Sequence, residues 1–336
     1  MRGCAGRPSH RWRSRSRFVT SGPYQPSELL IFSELSIRNG GLSVDRLIAV
    51  CGATGRQGGA VTRALLQGGW DVRAITRRTD SAQAKELATL GAEITKADME
   101  DVESLRRAFH DVSGVFSVQN GLVSGFDREV IQGRNVADAA SHCGVDHLVY
   151  AAAGTGERGT GIPSWEAKLD VEDHMSRLGL PFTSLRPEAF MELMTDKKFY
   201  PSVGTWRIWP RLSGEDKGIA WLAVEDVGVV AASVFAEPDK YVGESLVLVA
   251  DVKSLAECRD IYREVMGKDP STFPMPVWLF DRFTRGDVTA IWRWVEREEF
   301  STDTTLTRSI HPQALDVREW MVRQRAGAET TKQRGR

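Results

Sequence analysis

From Arg46 onward, short runs of apolar and β-branched residues alternate with helix-length stretches whose apolar positions recur every three or four residues. That is the pattern of β-α-β units feeding a parallel sheet. The spacing predicts strands over Leu47–Cys51, Asp71–Thr76, Ala92–Lys96, Gly114–Val118, His147–Ala151 and Phe182–Leu185. Between them it predicts helices near Gly58–Gly69, Ser81–Leu90, Asp101–Phe109, Asp127–Cys143 and Ser164–Leu178.

A β-α series packed into about 135 residues has the size of a doubly wound nucleotide-binding core. Beyond Arg186 the alternation lapses. Pro187, Pro201, Pro210 and the aromatic segment Phe199–Trp209 predict irregular structure over a cleft. A late strand, Leu246–Ala250, a helix near Leu255–Met266 and one aromatic-rich helix over Trp278–Phe300 follow. Trp278, Trp292 and Trp294 are candidates either for lining a ligand site or for packing the lobe. The expected architecture is therefore α/β: a Rossmann-type doubly wound parallel sheet over residues 44–186 with a smaller C-terminal α+β lobe over 187–325 for a substrate or partner, and a frayed polar tail over 326–336.

Residues 1–43 read differently. Six arginines crowd the start (Arg2, Arg7, Arg11, Arg13, Arg15, Arg17), and no acidic residue precedes Glu28. Such a segment buries too little apolar surface to offset its ordering entropy and is expected to be a disordered basic head. An organelle transit peptide and a nucleic-acid-binding arm are the competing readings. The composition of the whole chain, 41% hydrophobic and 26% charged with a net charge of −1, is that of a globular protein with no general pull toward nucleic acid or anionic membrane. No run of about 18 apolar residues is present to span a bilayer. The four cysteines are far apart and form neither a zinc motif nor a disulfide framework, which favours a reducing, cytoplasmic setting.

The first strand runs straight into Gly52-Ala53-Thr54-Gly55-Arg56-Gln57-Gly58-Gly59, a G-x-x-G-x-x-G loop opening a helix. Glycine suits a turn with positive φ, a close approach of backbone to a diphosphate, and tight packing of helix on strand. Unpaired amides at the helix start then face the anion, so a dinucleotide is expected here. An acidic residue at the end of the second strand would bond the ribose hydroxyls of NAD. This chain offers Arg77 and Arg78 instead, which suit the 2′-phosphate of NADP(H), although both also make sense as loop solvation. Asp98 is placed either to accept from the adenine amino group or to cap the helix beginning near Asp101. Lys168 shares a helical stripe with Trp165, Val171, Met175 and Leu178, and an ammonium on an apolar face needs a partner. Ribose hydroxyls would serve, and so would snorkelling to solvent.

Taken in order, Gly52-Ala-Thr-Gly-Arg-Gln-Gly, Val72-Arg-Ala-Ile-Thr-Arg, Ala97-Asp98-Met99-Glu-Asp, Val115-Phe-Ser-Val-Gln119-Asn120, Ile162-Pro-Ser-Trp-Glu-Ala-Lys168 and Leu185-Arg-Pro-Glu-Ala-Phe190 resemble the NmrA-like branch of the atypical short-chain dehydrogenase/reductases over about residues 46 to 300. The resemblance implies that the first motif holds the diphosphate, the second-strand arginine the 2′-phosphate, Asp98-Met99 the adenine and Gln119-Asn120 the ribose side. Lys168 and the Phe190 segment would lie beside the nicotinamide.

One departure matters. Working short-chain reductases pair a tyrosine with a lysine four residues on, and the phenol protonates the substrate as hydride arrives. Ser164 stands where that tyrosine is expected, and Ala151-Ala152-Ala153 replace the supporting serine. The chain therefore reads first as an NADP(H)-binding redox sensor or regulator acting through a protein partner. The alternative is an oxidoreductase of isoflavone-reductase-like type in which Lys168 is catalytic and a small molecule is the substrate.

Overall fold

The computed structural model describes residues 47–196, 203–298 and 301–334. The basic head, and Phe199, Tyr200 and Pro201 of the aromatic segment, lie outside them. The β-α series appears as expected: β1 Leu47–Val50, α1 Arg56–Gln67, β2 Asp71–Thr76, α2 Ala82–Thr89, β3 Glu93–Lys96, α3 Val102–Ala108, β4 Gly114–Ser117, a single turn α4 Gly121–Ser124, α5 Phe126–Cys143, β5 His147–Ala151, α6 Pro163–Arg177 and β6 Phe182–Pro187. The chain continues through β7 Ala189–Phe190, a 3-10 turn Met191–Met194, a π-helical turn Gly204–Ile208, α7 Trp209–Ser213, β8 Ile219–Leu222, α8 Val224–Ala236, α9 Pro238–Tyr241, β9 Ser245–Leu248 and β10 Asp251–Lys253. It ends with α10 Leu255–Met266, α11 Val277–Thr284, α12 Asp287–Arg297, α13 Thr305–Ile310 and α14 Val317–Arg334.

Seven parallel strands form the main sheet in the order β3-β2-β1-β4-β5-β6-β9. The order reverses between β1 and β4, where Val50 pairs with Ala74 on one side and Phe116 on the other. In open α/β sheets ligands bind at such a switch point, beyond the carboxyl ends of the strands. Central strands are buried on both faces, which explains their unbroken apolar runs: β4 and β5 have no exposed residue.

Three sequence expectations are corrected. The lobe beyond Arg186 is not simply appended, because β9 joins the main sheet beside β6, with Leu185 opposite Leu246, and α8 packs on α1. A Cβ at Gly228 of α8 would lie 2.5 Å from the Ala60 carbonyl oxygen, so the two helix backbones nearly touch. Second, Trp278–Phe300 is not one helix. It breaks at Arg285 and Gly286, both with positive φ, into α11 and α12. Third, the tail is helical through Ala326 to Arg334 rather than frayed. The strands β7, β8 and β10 form a second, three-stranded sheet over which α7, α10, α11, α12 and α14 gather a separate apolar core.

Two buried polar clusters tie the layers together. Arg186 on β6 donates to Glu172 of α6 at 2.5 Å, to the Ala153 carbonyl at 2.8 Å and to Ser245 of β9 at 2.7 Å. At the other end of the sheet, the Thr183 hydroxyl donates to the Tyr241 carbonyl, so it accepts from Nε2–H of His147 at 2.8 Å. Nδ1 of His147 then lies bare and buried without a partner, and burial lowers the imidazole pKa to about 4. Because the unfolded chain binds this proton first, His147 contributes full stability above about pH 6.5 and loses it as pH falls toward 4. The size is about 3 kcal/mol. Chemical denaturation from pH 7 to 4 should show this slope in the parent and lose it in His147→Gln; parallel curves would refute the assignment.

Candidate functional site

The chain after β1 turns at Gly52, whose φ is +65°, and Gly55 N–H donates to the Gly52 carbonyl at 2.8 Å. Helix α1 begins at Arg56 with Gly55 as its N-cap and no side-chain cap, so its first amides are left for an anion. A Cβ at Gly58 would sit 2.3 Å from the Gly52 carbonyl oxygen, so the helix start lies directly on the turn. Cys51, at the root of the loop, is fully buried and its thiol is pushed up to about 12, which leaves it inert.

A cleft of about 650 Å³ opens here. Of the residues expected from sequence, Gly52, Thr54, Gly55, Arg56, Gln57, Gly58, Arg77, Arg78, Asp98, Met99, Gln119, Asn120, Lys168 and Phe190 all line it. Ala53 does not: it is fully buried in the sheet core beneath the loop. Arg56 reaches across to Asp196, tying the start of α1 to the turn after β7.

Arg77 and Arg78 stand exposed where β2 ends. The sequence reading missed a third cation on this wall, Arg128 of α5, which donates to both carboxyl oxygens of Glu100 at 2.7 Å. Arg128, with help from Gln132, holds the Glu100 carboxyl below the usual range. The cap of α3 is Asp101, whose carboxylate accepts from the Glu103 and Ser104 amides, so Asp98 is not needed there. Asp98 instead accepts from the Glu100 amide at 3.1 Å. The Gln119 side-chain amide donates to Ser117 at 2.9 Å and leaves its own Oε1 buried without a partner; Asn120 caps the single turn α4.

Lys168 is where the sequence reading is most altered. Its ammonium neither snorkels out nor waits for a ligand, because it pairs with Glu129 of α5 at 2.7 Å and donates to the Gln119 carbonyl at 3.2 Å. Both side chains are buried, at 8% and 2% exposure. Leu178, assigned to the same apolar stripe, is exposed. The Ser164 amide donates to the Asp287 carboxylate of α12 at 2.7 Å, and burial pushes that carboxyl up to about 6. No tyrosine lines the cleft among the described residues. Tyr150 lies under Lys168, 5.2 Å from ring centre to nitrogen, with its hydroxyl buried and unpartnered and its phenol pKa raised further by that burial. It offers no accessible acid.

Beyond the expected nicotinamide end, the cleft continues into an apolar chamber walled by Phe190, Leu193, Trp209, Val288, Ile291 and Trp292. Trp209 and Trp292 stack at 5.0 Å. Of the three tryptophans proposed from sequence, only Trp292 reaches the cleft; Trp278 is 69% exposed and Trp294 packs edge-on against Trp165. Glu188, Asp287 and Glu129 also line the cleft; Asp287 and Glu129 carried no signal in the sequence, since each meets its partner, Ser164 or Lys168, only across the fold. No cluster of three potential metal ligands occurs among the described residues, and none of their helices is long and apolar enough to cross a membrane.

Comparisons with known proteins agree with this architecture. Among solved structures, NmrA, described as a negative transcriptional regulator, superposes with a TM-score of 0.67 at 20% identity, covering 83% of this chain and 95% of that one. The Citrobacter sp. triphenylmethane reductase complexed with NADP(H) superposes with a TM-score of 0.65 at 23% identity, covering 82% and 99%. At this identity the likeness is one of fold. Among curated relatives, the NmrA-like family domain-containing oxidoreductases malD of Malbranchea aurantiaca and cpsB of Aspergillus campestris are each 30% identical, covering 70% and 71% of this chain and 77% and 78% of their own lengths. The NmrA-like family model matches residues 44–319, and with the sheet order and the glycine loop described above, the chain belongs to the NmrA-like family.

Proposed function

We propose that this protein binds NADP(H) and uses it to reduce a small apolar molecule. The observation that carries the reading is the continuity of the cleft. It runs from the glycine loop at the start of α1 into a chamber walled by Trp209 and Trp292. The residues suit the cofactor: the loop is a cradle that a Cβ at Gly58 would fill, and the orphaned side-chain oxygens of Gln57 and Gln119 lie along the cleft. Gly52 to Gly58 would hold the diphosphate, Arg77 and Arg78 the 2′-phosphate, and Asp98 and Met99 the adenine. Gln119, Asn120 and Lys168 would flank the ribose, with Phe190 at the nicotinamide. The bound dinucleotide would supply hydride. The oxidoreductase names of the curated relatives favour the same reading.

A regulatory role gains support from two observations. Ser164 replaces the acid of ordinary short-chain reductases, and Lys168 is neutralised by Glu129. Titration with NADPH followed by incubation with aldehydes, enones and quinones separates the readings: tight binding without oxidation of NADPH by any acceptor would favour the regulator.

The preference for NADP(H) has its own test. A charge-assisted bond to the 2′-phosphate is worth roughly 1.5–3 kcal/mol, so Arg77→Ala should weaken NADPH by about 10- to 150-fold and leave NADH nearly unchanged. Equal losses for both cofactors would show that Arg77 does not read the phosphate.

A further inference from the structure

Five carboxyl side chains line the cleft: Asp98, Glu100, Glu129, Glu188 and Asp287. Four are engaged. Asp98 accepts from the Glu100 amide, Glu100 holds Arg128, Glu129 holds Lys168, and Asp287 accepts from the Ser164 amide. Glu188 is the exception, because its Oε2 is sealed from water with no hydrogen-bond partner among the described residues.

Its position gives this meaning. Glu188 immediately follows β6, at the carboxyl edge of the main sheet where doubly wound folds place their ligands, and two residues before Phe190 on the chamber wall. The nearest cation along the chain, Arg186, is committed to Glu172, Ala153 and Ser245. An ionised carboxylate there would be an uncompensated charge, so burial pushes the Glu188 carboxyl up to about 8, against the weaker opposing pull of Arg186. The indole N–H of Trp209, on the wall of the same chamber, also lacks an acceptor. Two residues of the chamber wall, Glu188 and Trp209, thus each keep a buried polar atom with no partner in the protein, a polarity suited to a ligand oxygen.

We infer that Glu188 is the proton donor of the reduction proposed above, delivering its proton to the oxygen of a conjugated or aryl carbonyl seated in the tryptophan chamber. The inference rests on the reductase reading. In the balanced step the carbonyl carbon gains hydride from the reduced dinucleotide, and the carbonyl π pair moves onto oxygen. That oxygen takes the proton from Glu188, and the resulting carboxylate is reprotonated from solvent. The acceptor gains one hydride and one proton, and the dinucleotide is oxidised. Of the other titratable groups around the cleft, Arg56, Arg128, Lys168 and the remaining carboxyls are engaged as described, and Arg77 and Arg78 stand exposed where β2 ends. Glu192 behind the cleft accepts from the Val224 amide, and burial pushes its carboxyl up to about 7.

Two experiments on the full chain test this. Infrared spectroscopy at pH 7 should show the carbonyl stretch of protonated buried carboxyls, with a component that is lost in Glu188→Gln and retained in Glu192→Gln; a band unchanged by Glu188→Gln would overturn the proposal whatever the substrate. NADPH oxidation should then be followed with aryl aldehydes and quinones, and with a triarylmethyl cation, which needs hydride alone. Glu188→Gln is expected to lower turnover of the carbonyl acceptors by about 10²- to 10⁴-fold while NADPH affinity and reduction of the cation persist. Undiminished carbonyl reduction by Glu188→Gln would dismiss Glu188 and leave the reductase reading standing. No reduction of either acceptor class by the NADPH-bound parent would dismiss the reductase reading, and the role of Glu188 with it.

Discussion

Lys168→Ala is expected to destabilise the protein by about 3–5 kcal/mol, because it strands the Glu129 carboxylate, 2% exposed, without its counter-charge. Removing one member of a buried pair costs far more than removing both. The paired replacement Lys168→Met with Glu129→Gln should therefore recover most of the loss. Urea denaturation of the parent, both single variants and the double variant measures this directly as a mutant cycle. A loss below about 1 kcal/mol in Lys168→Ala would mean that the amine is solvated and the ion pair adds nothing. The cycle also corrects how cofactor data should be read. Weaker NADPH binding by Lys168→Ala alone would mix a lost ribose contact with a distorted α5–α6 interface, whereas the double variant isolates the contact.

Gly58→Ala is expected to cost about 100-fold or more in NADPH affinity and about 1–3 kcal/mol in stability. The new Cβ would lie 2.3 Å from the Gly52 carbonyl oxygen and 2.9 Å from the Ala53 nitrogen, both backbone atoms that no rotamer change can clear. Helix propensity favours alanine by only about 1 kcal/mol, so overlap wins. Moving the Gly52 turn away from α1 also moves the amides that would face the diphosphate. Fluorescence titration with NADPH alongside thermal denaturation checks both effects, and parent-like affinity would remove the glycine loop from the site.

The success of the sequence reading in the first half of the fold has a local cause. The early β-α units are short strands followed within a few residues by an amphipathic helix, so the pattern and its ends are written in contiguous residues, as in β1–α1 and β2–α2. Helix α8 escaped because it is apolar even on its exposed side, where Val229 and Ala236 face solvent, so polar residues do not mark that face. The break between α11 and α12 escaped because its first left-handed residue is Arg285, a residue type that gives no warning of positive φ.

What the sequence by itself determined is the family, the parallel alternation and the glycine loop that opens α1. These depend on spacings of a few residues: glycine against glycine at the turn, arginine rather than a carboxylate after β2, serine rather than tyrosine four places before Lys168. Only the tertiary structure decided what the charged groups of the cleft are doing. Lys168 meets Glu129 from 39 positions away, Ser164 meets Asp287 from 123 positions away, and the Oε2 of Glu188 is buried with no partner among the described residues. Whether a buried charge is quenched, held or left protonated is set by which distant side chains the packed sheet and its second lobe bring within hydrogen-bonding reach. Burial itself exists only once those layers have closed.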